Sequence, residues 1–480
     1  MDKRNEVYLA LDQGTHSSRT MLISTDGHSL AKFQIPVTLN RLDDDRAEQD
    51  ADELLQSLRS GIEQAIATAK TNNWEIHSAG LATQRSSVVA WNRDSGEAIS
   101  PVISWLDRRA WRDVQRIADR AALIRQRTGL PLTPHYGASK IRWLLTEFLP
   151  AQSVLPARIG IGPLASYLIA NLVSATPYCV DHTNALRTQL MNLTTLDWDP
   201  TLIDWFEIPS QELPVCVPVQ NDFGQLRDTS VSLRAVSGDQ TAAMFSHGGF
   251  PESTGLVNLG TGGFLLMPCS PGCSIEPELL GGIAFSNSTT TQYLIEGTVN
   301  GCALALKWAA EKLNLKSDYQ SQLNTWLTDD KSPPIFINTV GGLGSPWWKD
   351  GGDPFWCDLD GTILTYPEPA AAMIAVIESI VFLIDQNVRR IALHEQISEL
   401  RVSGGVSRLD GLCQRLANVT TRRVSRPEES ESTACGVAWL AAGRPTNWNA
   451  DSQSTVFTPR VDDQLQQRRT AFAQQIQQLP

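Results

Sequence analysis

The sequence predicts an α/β protein built from two related halves, and three observations carry that reading. The first is a short run of strand formers, Val7-Tyr8-Leu9-Ala10-Leu11, which breaks at Asp12-Gln13-Gly14-Thr15 and resumes as Arg19-Thr20-Met21-Leu22-Ile23. That is a strand, a polar turn and a returning strand. The second is the same pattern far downstream. Thr254-Gly255-Leu256-Val257-Asn258-Leu259 runs into Gly260-Thr261-Gly262-Gly263, and Phe264-Leu265-Leu266-Met267 leads away. Two hairpins with a Gly-Thr pair at matching places read as a weak internal duplication. The third is Asp50 followed by Glu53, a capping-box pattern ahead of Leu54, Leu58, Ile62 and Ile66 at helical spacing.

The remaining elements follow in chain order. A helix runs from Asp50 to about Lys70, and Ile76–Ala82 and Val88–Trp91 read as strands. From Trp105 to Arg127, Arg108, Arg112, Arg116 and Arg120 form an i,i+4 line with Asp107, Asp113 and Asp119 interleaved. A solvated, salt-bridged helix is preferred there over an anion site or a partner surface. Ala235-Val236 is a short strand, after which Gly238-Asp239-Gln240-Thr241-Ala242-Ala243 opens a helix. Gly341-Gly342-Leu343-Gly344-Ser345-Pro346 is a turn-forming loop, and Glu368–Arg390 is one long apolar helix. Leu400-Arg401-Val402-Ser403 is a strand entering Gly404-Gly405, with Leu409, Leu412, Leu416 and Val419 at helical spacing behind it. A Gln-rich helix from about Val461 closes the chain. Residues 1–246 and 247–480 are the expected domains.

Composition narrows the function classes. The 480 residues are 42% hydrophobic and 19% charged, enough for a sizeable core and too little charge for a disordered chain. A net charge of −12 removes any bulk attraction for nucleic acid or anionic membrane. Eight scattered cysteines and no leader-like N-terminus lead to the expectation of a cytoplasmic protein. Two uncharged stretches, Ile159–Val180 and Ser253–Ile275, are long enough to span a bilayer, but prolines and glycines interrupt both. A buried helix with its loop, or paired strands, explains each better. No Gly-Lys dipeptide and no strand-linked G-x-G-x-x-G occur, so neither a Walker loop nor a dinucleotide fingerprint is present. Cys269 and Cys273 form one C-x₃-C pair, read as loop cysteines in preference to a zinc site.

What the chain does carry is a set of glycine turns and isolated aspartates at strand ends. Backbone N–H groups in a tight glycine turn converge on phosphate oxygens, and a threonine hydroxyl adds an uncharged donor. Asp12 suits Mg²⁺, because hard cations take carboxylate oxygens; a turn aspartate bonding local backbone fits the spacing equally well. Asp239, where a strand passes into a helix, suits the orientation of a substrate hydroxyl and acceptance of its proton. An ordinary helix N-cap explains it equally well.

These landmarks together resemble the FGGY carbohydrate kinases, and within them the glycerol kinases, from Val7 to about Gly443. The motifs, in family order, are Leu11-Asp12-Gln13-Gly14-Thr15-His16-Ser17-Ser18-Arg19, Thr83-Gln84-Arg85, and Trp105 ahead of Arg108-Arg109. His182-Thr183-Asn184-Ala185-Leu186-Arg187-Thr188, Leu196-Asp197-Trp198-Asp199 and Ser237-Gly238-Asp239-Gln240-Thr241-Ala242-Ala243 follow. Gly260-Thr261-Gly262-Gly263-Phe264, Gly342-Leu343-Gly344-Ser345-Pro346-Trp347-Trp348 and Ser403-Gly404-Gly405 complete the series.

The resemblance implies two ribonuclease-H-like domains of the actin and hexokinase type, with ATP and substrate in an interdomain cleft. It implies that Asp12 serves Mg²⁺, that Gly14, Thr15, Ser17, Arg19, Gly260 and Thr261 meet ATP phosphates, and that Gly404 and Gly405 lie against the nucleoside. Asp239 is the implied general base, and Arg85, Trp105, Gln240 and Phe264 line the substrate pocket. The implied partner is a small polyol or sugar, with a homo-oligomer expected as a possibility.

The chain also departs from the glycerol kinases. The Arg matching Arg85 is followed there by Glu, here by Ser86; the tyrosine of Asp-Pro-Tyr is here His135; and an aromatic after Glu-Gly-x-Val is here Asn300. The family's Asp before the glycine pair is Ser403, and its adenine-contacting Asn matches Leu409. No basic glycine-rich loop for fructose bisphosphate lies between Gly224 and Arg234. Loss of a charged acceptor with gain of room and polar groups suits a longer polyol or a ketose. Three functions stay open from sequence: a kinase of glycerol or of a four- or five-carbon polyol or ketose, a non-catalytic nucleotide- or sugar-binding relative, and an ATPase on the same fold.

Overall fold

The computed structural model describes residues 6–270, 276–328, 332–365, 367–428, 431–448 and 453–479. Cys273, and with it the C-x₃-C spacing, lies outside the described residues. The chain divides into two compact units, Met1–Phe250 with Gly281–Tyr293 and Glu431–Asp451, and Pro251–Leu280 with Leu294–Ser430 and Ser452–Pro480. Relative to a division at residue 246, two segments of the C-terminal half cluster with the first unit.

The first unit is organised by a six-stranded sheet in the order Gln220–Gln225, Ser232–Gly238, Glu75–Thr83, Glu6–Gln13, Ser17–Ser24, Ser29–Pro36. Glu6–Gln13 runs antiparallel to its hairpin partner and parallel to Glu75–Thr83, which runs parallel to Ser232–Gly238. Strands covered on both faces need continuous apolar sequence, and Val7–Leu11 are buried without a break. Leu54, Leu58, Ile62 and Ala65 of the helix Ala51–Thr71 join the sheet's core cluster.

The helix Ser432–Ala441 packs on the same sheet. A Cβ on Gly80 would lie 2.4 Å from the Val437 carbonyl, and the Ser78 hydroxyl donates to the Ala441 carbonyl at 2.8 Å. A five-stranded sheet, containing Val88–Asn92 and Ile159–Pro163, completes this unit with a separate apolar cluster around Val88, Ile103, Ile141 and Ile161.

Two local expectations change. Asp50 caps its helix by accepting from the Asp52 and Glu53 amides, but the box is not reciprocal. The Glu53 carboxylate instead takes the Thr38 amide and hydroxyl, both at 3.0 Å, and pins the incoming chain. The arginine line is not one helix either. Arg108 precedes the helix Trp111–Arg116, which ends at Ile117 with φ −120°, and Arg120 closes a 3₁₀ turn. The arginines therefore diverge, Arg108 to the Trp105 carbonyl, Arg116 to Glu207, and Arg112 and Arg120 over the Trp111 and Trp205 rings.

The second unit repeats the first unit's pattern. Thr254–Leu259 is antiparallel to Gly263–Cys269 and parallel to Glu399–Ser403, which is parallel to Arg423–Pro427, with Ser454–Phe457 antiparallel at the end. The order and polarity match those of the first sheet from its hairpin outward, so the duplication read from two Gly-Thr turns extends through the sheet. The first uncharged stretch resolves as strand–helix–strand, and residues 253–270 of the second as paired strands; its last five residues lie outside the described residues. The helix Pro369–Ile391 is long and apolar enough to cross a membrane by length and composition; 94% of its most apolar window is buried inside the protein.

Candidate active site

Parallel strands all end on one edge of a sheet, so whatever follows them gathers there. In the first unit Asp12 stands opposite Ala82, and Thr83 opposite both Gln13 and Gly238. The segments that leave this edge are Gly14–Thr15, Gln84–Ser86 and Asp239–Gln240, which hold most of the acceptor candidates, with Asp12 on the strand just before the first.

A buried amide network fixes the first two segments. Gln84 donates through Nε2 to the side-chain oxygens of Gln13 and Gln49, at 3.0 and 2.8 Å, and its own amide N–H donates to the Gln13 carbonyl at 2.9 Å. Gln49 in turn donates to the Thr15 carbonyl at 2.9 Å. Ser87 bridges outward, donating to Gln84 Oε1 and accepting from the Trp105 amide at 3.0 Å. Trp105 closes the ring by donating its indole N–H to the Thr15 hydroxyl at 3.0 Å. The Thr15 side chain thus holds the tryptophan, and the Ser17 hydroxyl accepts from Gln34 at 3.3 Å.

Asp12 is 4% exposed. Its carboxylate bonds Arg19 across the hairpin at 3.1 Å rather than the turn's backbone. Arg19 also faces Glu431 at 3.4 Å, and Glu431 pairs with Lys32. Burial pushes the Asp12 carboxyl up to about 6, with Arg19 opposing and the nearby Asp239 and Glu431 charges adding to the rise.

Asp239 is the first residue of the five-residue helix Asp239–Ala243; Gly238 takes the N-cap position and no side chain caps the end. The Asp239 side chain is 27% exposed, lies 3.8 Å from Arg85 Nε and accepts from the Gln240 amide at 2.7 Å. His135 stands edge-on to Trp105 at 5.9 Å between ring centroids. Burial first, then the cations of Arg108, Lys140, Arg187 and Arg85, hold its imidazole well below the ordinary value, so the ring is neutral near pH 7.

Ser86 has φ +64°, rare for a residue with a side chain. Among the described residues its buried hydroxyl has no hydrogen-bond partner, and neither has Gln240 Oε1. Two unfilled polar atoms thus belong to residues expected to meet a substrate. Asn300, which stands where an aromatic was expected, donates its amide to the Gly341 and Gly342 carbonyls at 2.9 and 3.1 Å.

The second unit holds the other candidates. Gly260, Thr261 and Gly262 form the turn between Thr254–Leu259 and Gly263–Cys269, and Thr261 is exposed. The Gly260 and Thr261 carbonyls accept from amides at the start of the helix Ala303–Lys312, which anchors the turn. Gly404, with φ +89°, sits against the base of the same hairpin, where a Cβ would lie 2.5 Å from the Leu259 carbonyl. Around Gly405 a Cβ would meet nothing within 4 Å. Phe264 is on the returning strand opposite Asn258. Gly260, Thr261, Phe264, Gly404 and Gly405 therefore form one group, and the first-unit residues form another.

Sequence reasoning did not single out Glu431, which reaches Arg19 from the far end of the chain and has no local signal. Thr183 lies in the motif His182–Thr188, which by itself implies no role for it. Asp181, fully buried, accepts from the Thr183 amide and hydroxyl, and the Thr183 hydroxyl accepts from the Gly238 amide at 2.8 Å. Thr183 thereby steadies the turn that carries Asp239. Among the described residues no group of three or more His, Cys, Asp or Glu side chains could hold a metal by itself.

Comparison with known proteins gives a consistent picture. The models of the N- and C-terminal domains of the FGGY family of carbohydrate kinases match residues 7–256 and 255–443. A glycerol kinase of Acinetobacter baylyi is 30% identical over 97% of each chain. Among solved structures, Plasmodium falciparum glycerol kinase with ADP covers 99% of this chain and 98% of its own at 22% identity and a TM-score of 0.88. A ligand-bound xylulose kinase from Lactobacillus acidophilus covers 98% and 97% at 19% identity and a TM-score of 0.83. These last two likenesses are of fold.

Proposed function

The chain belongs to the FGGY family of carbohydrate kinases, and on that premise we propose that it transfers the γ-phosphoryl group of ATP to a primary hydroxyl of glycerol or of a four- or five-carbon polyol or ketose. The two-domain α/β architecture is that of the family, of the actin and hexokinase type. The observation that supports the reaction best is the placement of Asp239, a partly exposed carboxylate beside Arg85 at the edge where three parallel strands end.

In the proposed step the acceptor oxygen attacks the γ-phosphorus and the bond to the β–γ bridging oxygen breaks. ADP leaves with that electron pair, and the acceptor proton passes to an Asp239 carboxylate oxygen. The transition state for phosphoryl transfer is loose, so orientation of the hydroxyl is the main contribution of Asp239. Arg85, Trp105 and neutral His135 would bind the acceptor, and Gly260, Thr261, Gly404 and Gly405 the nucleotide. Mg²⁺, when bound, would neutralise charge on the phosphates. Asp12 suits it, because the dication takes one or two carboxylates with phosphate and water oxygens completing its shell, and burial leaves this carboxyl, raised to about 6, short of positive charge despite Arg19.

Glycerol is the first candidate, on the strength of the 30% identical relative. A longer acceptor is favoured by Ser86 and Gln240, whose unbonded oxygens would suit additional hydroxyls. The deciding experiment measures ADP release with glycerol, erythritol, ribitol, xylulose and ribulose, with and without Mg²⁺. One acceptor should give Mg²⁺-dependent turnover, and Asp239→Asn should lower its kcat by about 10²–10⁴-fold. ADP release that no acceptor raises above the acceptor-free rate refutes the assignment.

A further inference from the structure

Lys140 is an anomaly in the first unit. It lies in the helix Gly137–Trp143 with a relative exposure of 0%, and among the described residues the hydrogen bonds of its ammonium run to no carboxylate. Its Nζ donates instead to three main-chain carbonyls, those of Ser86 at 3.1 Å, Ser104 at 2.8 Å and His135 at 2.8 Å. An ammonium has three donors, so all three are satisfied and none is spare. Burying a lysine with no carboxylate bonded to it is costly, and burial, with the Arg108 charge adding and the Asp107 charge only partly opposing, pushes its amine well below the ordinary value. A methionine would fill the same space without that cost.

The identity of the three carbonyls is informative. They belong to three separate chain segments, and each adjoins a residue placed in the acceptor pocket. Ser86 follows Arg85 and has a left-handed backbone that the Lys140 bond helps to hold. The Ser104 carbonyl belongs to the peptide group that leads into Trp105. The third is that of His135 itself. The helix carrying Lys140 is fixed in turn, its Gly137 and Ala138 amides donating to the Arg187 and Thr188 carbonyls at 3.1 and 2.7 Å.

We propose that Lys140 is the positioning residue of the acceptor pocket, a three-way clamp that sets the relative placement of Arg85–Ser86, Trp105 and His135 and so the fit of the acceptor. The inference rests on the kinase reading above. Lys140 touches no reacting atom; it acts through the three peptides it holds. Its loss should therefore weaken acceptor recognition selectively and leave nucleotide recognition alone, since none of the three carbonyls belongs to either Gly-Thr turn or to the Gly404–Gly405 pair, and the first turn is held separately, by Gln49 at the Thr15 carbonyl.

The test compares wild type with Lys140→Met, which removes all three donors, and Lys140→Gln, which keeps two. The probe is whichever of glycerol, erythritol, ribitol, xylulose or ribulose the wild type turns over fastest. Expected results are an acceptor KM raised at least tenfold in Lys140→Met and to a lesser degree in Lys140→Gln, with the ATP KM within twofold of wild type. The split matters, because a lysine needed only for folding lowers Tm and the active fraction without moving one KM alone. An unchanged acceptor KM in whichever variant folds, a parallel rise in both KM values, or failure of both variants to fold overturns the proposal. Absence of wild-type turnover with every acceptor takes down the kinase reading, and this inference with it; wild-type turnover with an unmoved acceptor KM takes down the inference alone.

Discussion

At Asp12 stability and the proposed function pull in opposite directions. A buried carboxylate facing Asp239 and Glu431 is unfavourable when ionised, and its pKa of about 6 lies above the usual 3.8. The folded state thus prefers the protonated acid. That preference stabilises the protein at low pH, fades as pH rises from 3.8 to 6, and is absent above 6, where the ionised group costs about 3 kcal/mol at most. Asp12→Asn should accordingly raise the Tm of ligand-free protein at pH 7.5, with the gain shrinking as pH falls through 6 toward 4, while Mg²⁺-dependent turnover is lost. A Tm gain that is the same at pH 7.5 and pH 4.5 would contradict the account. Asp12 and Asp239 were legible in the sequence because an acid at a strand end is chemically conspicuous. Lys140 and Glu431 were not: one sits inside an apolar helical run and the other in a polar stretch, and neither shows which distant segment it meets.

The unit of design at the next scale is the hairpin, used twice. Asp12 precedes the first Gly-Thr pair by two residues and Asn258 precedes the second by the same spacing. One copy therefore carries a carboxylate, the other a neutral amide, which suits a single cation site. The glycine pair beside the second hairpin divides its labour too. Gly404→Ala would place a methyl 2.5 Å from the Leu259 carbonyl at φ +89°, where a side chain costs roughly 1–2 kcal/mol in backbone strain before the clash is added. It should lower Tm and raise the ATP KM. Gly405→Ala meets no atom within 4 Å and has no positive φ, so its Tm should stay within about 1 °C of wild type, a surface-like effect. Equal Tm losses in the two variants would argue against this geometry. The arginine line shows the limit of periodicity at this scale. An i,i+4 pattern reports a helix only if the backbone continues, and Ile117 interrupts it.

Across the whole molecule, chain order and compact units do not coincide. The helix Ser432–Ala441, about 350 residues beyond the strand Glu75–Thr83 on which it packs, belongs to the first unit. It also backs the site, since a Cβ on Gly436 would fall 1.8 Å from the Ala242 carbonyl in the helix that Asp239 begins. A fragment comprising residues 1–250 should therefore expose the sheet face around Ser78 and Gly80 and aggregate. The full chain should give a cooperative thermal transition. A soluble 1–250 fragment with native near-UV circular dichroism would show that the helix is dispensable.

The sequence by itself determined the α/β class, the duplicated hairpins, a few of the helices such as Ala51–Thr71 and Pro369–Ile391, and the residue types able to handle a phosphate, a cation and a hydroxyl proton. All of these are local signals: periodicity, turn chemistry and short spacing along the chain. Only the tertiary structure decided that the Thr15 hydroxyl holds Trp105, that Glu53 caps Thr38 instead of its own helix, that Arg19 is shared between Asp12 and Glu431, and that one lysine ties three chain segments together. Apart from the Arg19–Asp12 and Lys140–His135 bonds, these are contacts between residues well separated in the chain. A side chain's partner at that distance is chosen by which surfaces pack and which polar groups burial leaves needing a bond, and no short window of sequence contains that choice.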